Sequence, residues 1–415
     1  MRKTLPNSGT DWTSLKAQME EIGAGDMDWR NGRTGMYVFY AGDDVLKVAK
    51  EAYTMFMSEN ALGPMAFPSL KRMEDDVVQM GLSLLNAPDT GVGNMTSGGS
   101  ESIFLAVKAA RDSARSRGID TNDAEVLVPY SAHLAFDRAC HYLNLKIVRI
   151  PLTNDHVADV AAMENAINDR TIMMVGSAPC YPFGLIDPIE ALGAVAKKRD
   201  VWMHVDACVG GYFAPFARMN GVDLPVFDFG VDGVSSMSAD LHKYGYAAKG
   251  ASTVLYRNED LHKHQIFDCA DWSAGRMVTP TAAGTRPGGA IAAAWAVMNY
   301  LGVEGYRKNA KIVVETRQKL EDAVNSIDGL HVHGKPQLGL IAFGSDELDI
   351  FSVYGKIFEQ QWFTSITSEP PGIHLMLTPA HAPVIDDYIE VLKSAVDAVR
   401  AGDGNAKPKK VRYGG

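Results

Sequence analysis

From Gly91 onward, short apolar runs alternate with amphipathic ones, and this alternation constrains the fold more than any other feature of the chain. The runs at 125–129, 146–151, 172–177, 201–206, 232–237 and 253–256 are rich in Val, Ile, Leu and Met, as strands buried on both faces are. Between them, 103–117, 135–144, 157–168 and 188–199 carry apolar residues at helical spacing. Strands separated by helices predict an α/β fold, with a mostly parallel sheet covered on both faces. In such sheets ligands collect at the carboxyl ends of the strands.

The flanking regions follow other patterns. Residues 1–60 predict an N-terminal arm. It has a helix over 11–22, with Trp12, Leu15 and Met19 on one face, and another over 45–58, carrying Leu46, Ala49, Tyr53 and Phe56. The arm can pack on its own core or on a second subunit. A breaker-rich loop at 59–68 leads into a helix over 69–85 with Ser69 as its cap. Helices follow over 291–301 and 304–327. Then come strands near 330–332, 338–343 and 373–377 and helices over 350–360 and 382–399, which predict a smaller α+β unit. The expected organisation is an arm at 1–60, a large domain at 61–300, a small C-terminal domain at 301–400 and a flexible tail at 401–415.

Composition narrows the partners. The chain has 415 residues and is 46% hydrophobic, enough for more than one core. Its 40 basic and 50 acidic residues leave a net charge of −10, so nucleic acid is not an expected partner. The basic run from Lys407 to Arg412 reads as a frayed tail. Cys140, Cys180, Cys208 and Cys269 have no CxxC spacing, so no metal is expected, and so few cysteines fit a reducing cytoplasm. The N-terminus has no apolar signal segment. The apolar stretch at 290–303 is short and interrupted by Asn299 and Tyr300, so no stable membrane insertion is expected.

Four pieces of chemistry fall at strand ends or helix starts. Residues 96–101 (TSGGSE) turn into a helix, where backbone amides with Ser97 and Ser100 can bind a phosphate; an ordinary capped helix start looks the same locally. No Gly-Lys-Ser/Thr follows, and the spacing is not GxGxxG. His133 follows a strand and can stack on a planar cofactor, although a lone loop histidine is usually polar filler. Asp206 ends a strand ahead of ACVGG, where a carboxylate can keep a pyridine nitrogen protonated. His204, two residues earlier, can support Asp206 or be simply a satisfied core histidine. Lys243 comes 37 positions after Asp206, within 238–252 (SADLHKYGYAAKGAS). A lysine so held can form a Schiff base with an aldehyde, and pyridoxal phosphate (PLP) is the aldehyde that fits the other three groups.

The chain resembles the sphingosine-1-phosphate lyase group of the PLP-dependent group II decarboxylase family. The likeness is carried by 96–102 (TSGGSES), 131–133 (SAH), 135–137 (AFD), 146–151 (KIVRIP), 184–188 (GLIDP), 204–211 (HVDACVGG), 238–246 (SADLHKYGY) and 284–289 (GTRPGG). It spans roughly residues 30–395, without the membrane segment of animal members, and so suggests the soluble bacterial type. The resemblance implies fold type I, with a mostly parallel seven-stranded sheet, a small C-terminal α+β domain and a homodimer whose active sites lie at the subunit interface. It implies that Ser97, Gly98, Gly99, Ser100, Ser238, His242 and a Thr285 from the second subunit surround the cofactor phosphate. By the same likeness Lys249 faces a substrate phosphate, Tyr181 transfers a proton near the leaving aldehyde, and Tyr40 and Asn60 contact substrate. Phe39, Gly63, Phe183 and Ala248 depart from the pattern of sphingoid-cleaving members, which leaves the substrate open.

The implied reaction is retro-aldol cleavage of the C2–C3 bond of a phosphorylated 3-hydroxy-2-amino compound, giving a long-chain aldehyde and phosphoethanolamine. Lys243, Lys249 and Tyr181 are the candidates for moving its protons. A PLP-dependent amino-acid decarboxylase uses the same site and stands as the alternative. A non-catalytic PLP scaffold is disfavoured because Lys243, Asp206 and His133 are all present, and a nucleotide-binding module because its motifs are missing.

Overall fold

The computed structural model describes residues 2–403. From residue 404 on, the tail expected at 401–415, with its basic run, lies outside the described residues.

Seven strands build the main sheet: β1 (Val92–Thr96), β2 (Glu125–Pro129), β3 (Lys146–Ile150), β4 (Thr171–Ser177), β5 (Trp202–Asp206), β6 (Val234–Ala239) and β7 (Ser252–Tyr256). Their order is β1-β7-β6-β5-β4-β2-β3. Only β7 runs against its neighbours, pairing antiparallel with both β1 and β6. The central strands are buried on both faces; Val126, Leu127 and Val128 of β2 have no exposure at all. Each such side chain stabilises the fold by about 1.5–3 kcal/mol relative to an exposed one.

The helices follow from spacing and capping. In the arm are α1 (Trp12–Gly23) and α2 (Asp43–Met55), followed by α3 (Pro68–Leu84). Covering the sheet are α4 (Gly99–Ser116), α5 (Ala135–Leu143), α6 (Val160–Ala166), α7 (Ile189–Arg199), α8 (Ala214–Met219) and α9 (Glu259–His262). Ile103, Ala106, Val107, Ala110 and Ala114 of α4 recur at helical spacing and are buried, and the helix packs on β6, β7 and α5. A hairpin of β8 (Phe267–Cys269) and β9 (Met277–Thr279) precedes α10 (Gly288–Ser326). Gly302 breaks α10 with φ 53° and ψ −173°, so 291–301 and 304–327 are two helical pieces, as their spacing predicts.

A smaller sheet orders as β10 (His331–Val332), β11 (Leu340–Gly344), β13 (Pro371–Met376) and β12 (Ser365–Ser368), flanked by α11 (Ile350–Glu359) and α12 (Ile385–Arg400). In the arm, α2 packs on α10. By contrast α1 buries no residue, and Trp12 and Met19 are 66% and 61% exposed, so its apolar face does not pack on this chain's core.

Local details differ from the sequence reading. Ser69 is not the cap of α3; Phe67 precedes it without a side-chain bond, and Pro68, with its φ already set, takes the first turn. The expected 157–168 helix shortens to α6 because Asp159 caps the amide of Ala162, while 152–158 closes a turn through the Leu152–Ala158 bridge. The strands β1 and β12 and the β8–β9 hairpin carried too little apolar periodicity to be predicted.

Candidate active site

Three of the predicted residues, His133, Tyr181 and Lys243, each lie four positions beyond the end of a parallel strand, after β2, β4 and β6 respectively. Asp206 is itself the last residue of β5, and Ser97 follows the last residue of β1. Neighbouring parallel strands end on the same side of the sheet, so these groups converge. Together with Gly98, Gly99, Ser100 and His242, they line one pocket of about 350 Å³.

The first turn of α4 forms one end. Its leading amides have no intrahelical acceptor. The amide of Ser97 is already used, donating to Glu101 Oε2 at 2.7 Å. Opposite the turn, His242 Nδ1 is buried and, among the described residues, has no hydrogen-bond partner. A Cβ on Gly98 would stand 3.5 Å from the His242 ring, and one on Gly99 would fall 2.8 Å from Asp240 Oδ2. Glycine at 99 therefore lets the helix start approach a buried carboxylate. Free amides and an unpaired imidazole nitrogen make an anion cradle.

Asp206 sits at the other end, 8% exposed. Its Oδ1 accepts from the Cys208 amide at 3.1 Å and from the Ser238 hydroxyl at 3.2 Å. Behind it runs an ordered series. Trp202 Nε1 donates to Ser236 Oγ at 2.8 Å, and Ser236 Oγ lies 2.8 Å from His204 Nδ1. His204 Nε2 lies 3.2 Å from Ser238 Oγ. Since the Ser238 proton goes to Asp206, His204 Nε2–H donates and Nδ1 accepts. Burial first, only partly opposed by Asp206, pulls His204 down to about 4 and keeps it neutral. His204 thus supports Asp206 and is also a satisfied core histidine. Ser238 is not in the anion cradle: it is fully buried and committed to Asp206.

His133 Nδ1 accepts the Ala135 amide at 3.1 Å, which leaves the ring proton on Nε2 in the neutral form. Burial lowers its pKa, opposed by Asp206. Lys243 Nζ lies 3.0 Å from Asp240 Oδ2. Burial works against the ammonium, but Asp240, with Cys208 and Asp206, together outweigh it and the Lys243 pKa is raised. Asp240 was not singled out from the sequence, although its position three residues before Lys243 in the same motif was a usable signal. Tyr181 Oη lies 3.4 Å from Ser365 Oγ of β12, and its ring packs on His374 at 4.6 Å.

Lys249 stands outside the pocket lining. Its Nζ donates to the carbonyls of Tyr37 at 2.9 Å and His242 at 3.3 Å. The residue as a whole is exposed, yet loss of solvent around its ammonium, with Lys243 nearby, pulls its pKa down to about 8. The structure does not bring Tyr40, Asn60 or Thr285 into this chain's pocket. Tyr40 packs edge-on against Trp29, and Asn60 Nδ2 donates to Thr285 Oγ1 at 3.2 Å. Arg286, beside Thr285, is clamped by Glu74 through bonds of 2.5 and 2.9 Å.

An anion cradle, a ring placed to stack, a strand-end carboxylate and a half-buried lysine fit a planar, phosphorylated aldehyde. Residues 3–345 match the pyridoxal-dependent decarboxylase conserved domain. A sphingosine-1-phosphate lyase of Oryza sativa subsp. japonica is 41% identical over 412 residues, covering 97% of this chain and 76% of that one. Its counterpart in Arabidopsis thaliana is 43% identical over 411 residues, covering 97% and 75%. The solved sphingosine-1-phosphate lyase of Burkholderia pseudomallei superposes with a TM-score of 0.93 at 34% identity, over 97% of this chain and 94% of that one.

Proposed function

The chain belongs to the pyridoxal-dependent decarboxylase family, among its sphingosine-1-phosphate lyases, and on that premise we propose that it cleaves the C2–C3 bond of a phosphorylated 3-hydroxy-2-amino compound. The products are a long-chain aldehyde and phosphoethanolamine. The observation that carries this reading is the unpaired, buried His242 Nδ1 facing the free amides of α4, in the same pocket as Lys243 and Asp206.

PLP, when bound, supplies an electron sink for the bond that breaks. The first turn of α4 and His242 would hold its phosphate, His133 would cover its ring, and Lys243 would tether it. Asp206, kept in place by Ser238 and the Cys208 amide, would hold the proton on the ring nitrogen. A base must remove the proton of the 3-hydroxyl, and an acid must protonate C2. Lys249, with a pKa near 8, can carry a charge toward the substrate phosphate or exchange a proton near neutral pH. Tyr181 is the second proton-transfer group, on the side of the leaving aldehyde.

A homodimer belongs to the same reading. It is supported by the exposed apolar face of α1, and by Thr285, Asn60 and Tyr40 standing outside this chain's own pocket, where a second subunit could use them. A cytoplasmic location is supported by four free cysteines, three of them buried. No helix among the described residues is long and apolar enough to cross a membrane.

The test is product analysis of the PLP-loaded protein with sphinganine-1-phosphate, set against a panel of amino acids. Aldehyde and phosphoethanolamine are expected. Carbon dioxide from an amino acid, with the phosphosphingoid untouched, would replace this reading with the decarboxylase one.

A further inference from the structure

A second cavity, of about 280 Å³, adjoins the catalytic pocket, and the two share His133 and Tyr181. It lies between the two sheets. The loop after β2 supplies one wall, the loop after β4 a second, and β12 of the small sheet the third. Its apolar surface comes from Leu134, Phe183 and Ile366, with Tyr130 and Pro182 beside them.

Apart from the Ser131 hydroxyl, which is buried and has no hydrogen-bond partner among the described residues, its main polar groups are engaged elsewhere. Arg149 donates to the carbonyls of Tyr130 and Ala132 at 3.1 and 3.3 Å and to the Asp137 carboxylate at 2.5 Å. Tyr130 Oη donates to Glu369 at 3.2 Å, and Thr367 Oγ1 to the Pro370 carbonyl at 2.8 Å. An apolar cavity with its rim charges paired favours a hydrocarbon and disfavours a charged or strongly polar group.

We propose that this groove between the β2 loop, the β4 loop and β12 is the subsite for the alkyl chain of the substrate beyond C3. The inference rests on the lyase reading and deepens it. Tyr181 stands at the junction of the two cavities, so a bond broken beside it leaves the aldehyde carbon at the junction and the tail in the groove. Phe183, a departure from the family pattern on the sequence, then has a physical role. It is 2% exposed, stacks on His156 at 4.9 Å and gives the groove an apolar floor where a polar residue would interrupt it.

The experiment uses the PLP-loaded enzyme and 2-amino-3-hydroxy 1-phosphates with chains from octyl to octadecyl. In the wild type kcat/KM should rise about fourfold for each added methylene until the groove is filled. Ile366→Trp, which fills it from β12, should lower the ratio of long-chain to short-chain kcat/KM by about tenfold or more. Leu134→Ser, at an exposed position where misfolding is not expected, should flatten the same dependence. Binding of hexyl and tetradecyl phosphate, measured by calorimetry without turnover, reads the groove independently of catalysis. If both variants keep the wild-type chain-length ratio in turnover and in binding, the subsite is wrong. If no phosphosphingoid is cleaved, yet tetradecyl phosphate still outbinds hexyl phosphate in the wild type and not in Ile366→Trp, the lyase reading fails while the groove stands.

Discussion

Buried Asp240 and half-buried Lys243 form an ion pair three positions apart in sequence, with Lys243 Nζ 3.0 Å from Asp240 Oδ2 and Asp240 only 3% exposed. The pair sits against the anion cradle, and the other carboxylate oxygen of Asp240 has no partner among the described residues. Asp240 therefore keeps Lys243 charged in the cofactor-free protein, whereas capture of an aldehyde needs the neutral amine.

Asp240→Asn should make PLP capture by the cofactor-free protein less alkaline. Capture speeds up as pH rises through the Lys243 pKa. Without this carboxylate the strongest partner opposing burial is gone, with Cys208 and Asp206 left, so the pKa falls and the rising limb should move to lower pH. Stopped-flow absorbance across a pH series checks this. An unmoved limb means that Asp240 does not govern the charge on Lys243.

Lys243→Ala should fold normally and lose essentially all turnover. After borohydride reduction of the wild type, mass spectrometry should find PLP on Lys243. Finding it on Lys249 would overturn the assignment.

Asp206→Asn should lower kcat by about 10²-fold or more, because an amide cannot hold the ring-nitrogen proton. Ser238→Ala should give a smaller loss, since it removes one of the two bonds orienting the carboxylate. Circular dichroism should show both variants folded. A Ser238→Ala loss equal to that of Asp206→Asn would instead place Ser238 in direct contact with the cofactor.

Lys249 should impose a descending limb on kcat/KM for phosphorylated substrates near pH 8. The group is cationic below its pKa of about 8, so its attraction for phosphate is present at neutral pH and fades as pH rises through that value. Lys249→Ala should chiefly raise KM if Lys249 binds the phosphate, and chiefly lower kcat if it moves the 3-hydroxyl proton. A variant that changes neither, in an enzyme indifferent to the phosphate, would promote the decarboxylase reading.

Glu74→Ala should destabilise the fold by about 2–4 kcal/mol, because the largely buried Arg286 loses its only carboxylate partner among the described residues. Glu74 Oε1 also accepts the Met95 amide of β1 at 3.1 Å, so the loss extends to the sheet edge. Urea unfolding measures it. Recovery of most of the stability in Glu74→Leu with Arg286→Met would confirm that the unpaired charge, and not lost packing, is the cause.

Much of the fold was legible because its determinants are local. Strands such as β2 and β5 announce themselves by unbroken apolar runs, and α4 by residues three and four apart. The break in α10 at Gly302 falls between the helices expected over 291–301 and 304–327. The same locality explains the misses. β1 (VGNMT) is held by its pairing with β7 and β12 by its pairing with β13, and neither carries that information in its own residues.

The sequence by itself determined the strand–helix order and which residues stand at strand ends, because both depend on neighbours within one or two turns. His133, Asp206 and Lys243 are therefore legible as site candidates from the residues alone. The tertiary structure alone decided what each side chain faces. The resemblance puts Ser238 with Ser97 around an anion, but the register of β5 against β6 sets Ser238 beside Asp206. Tyr37, 212 positions before Lys249, lends it a carbonyl. Such contacts join segments distant along the chain, and they come into being only when burial of the two sheets brings those segments together.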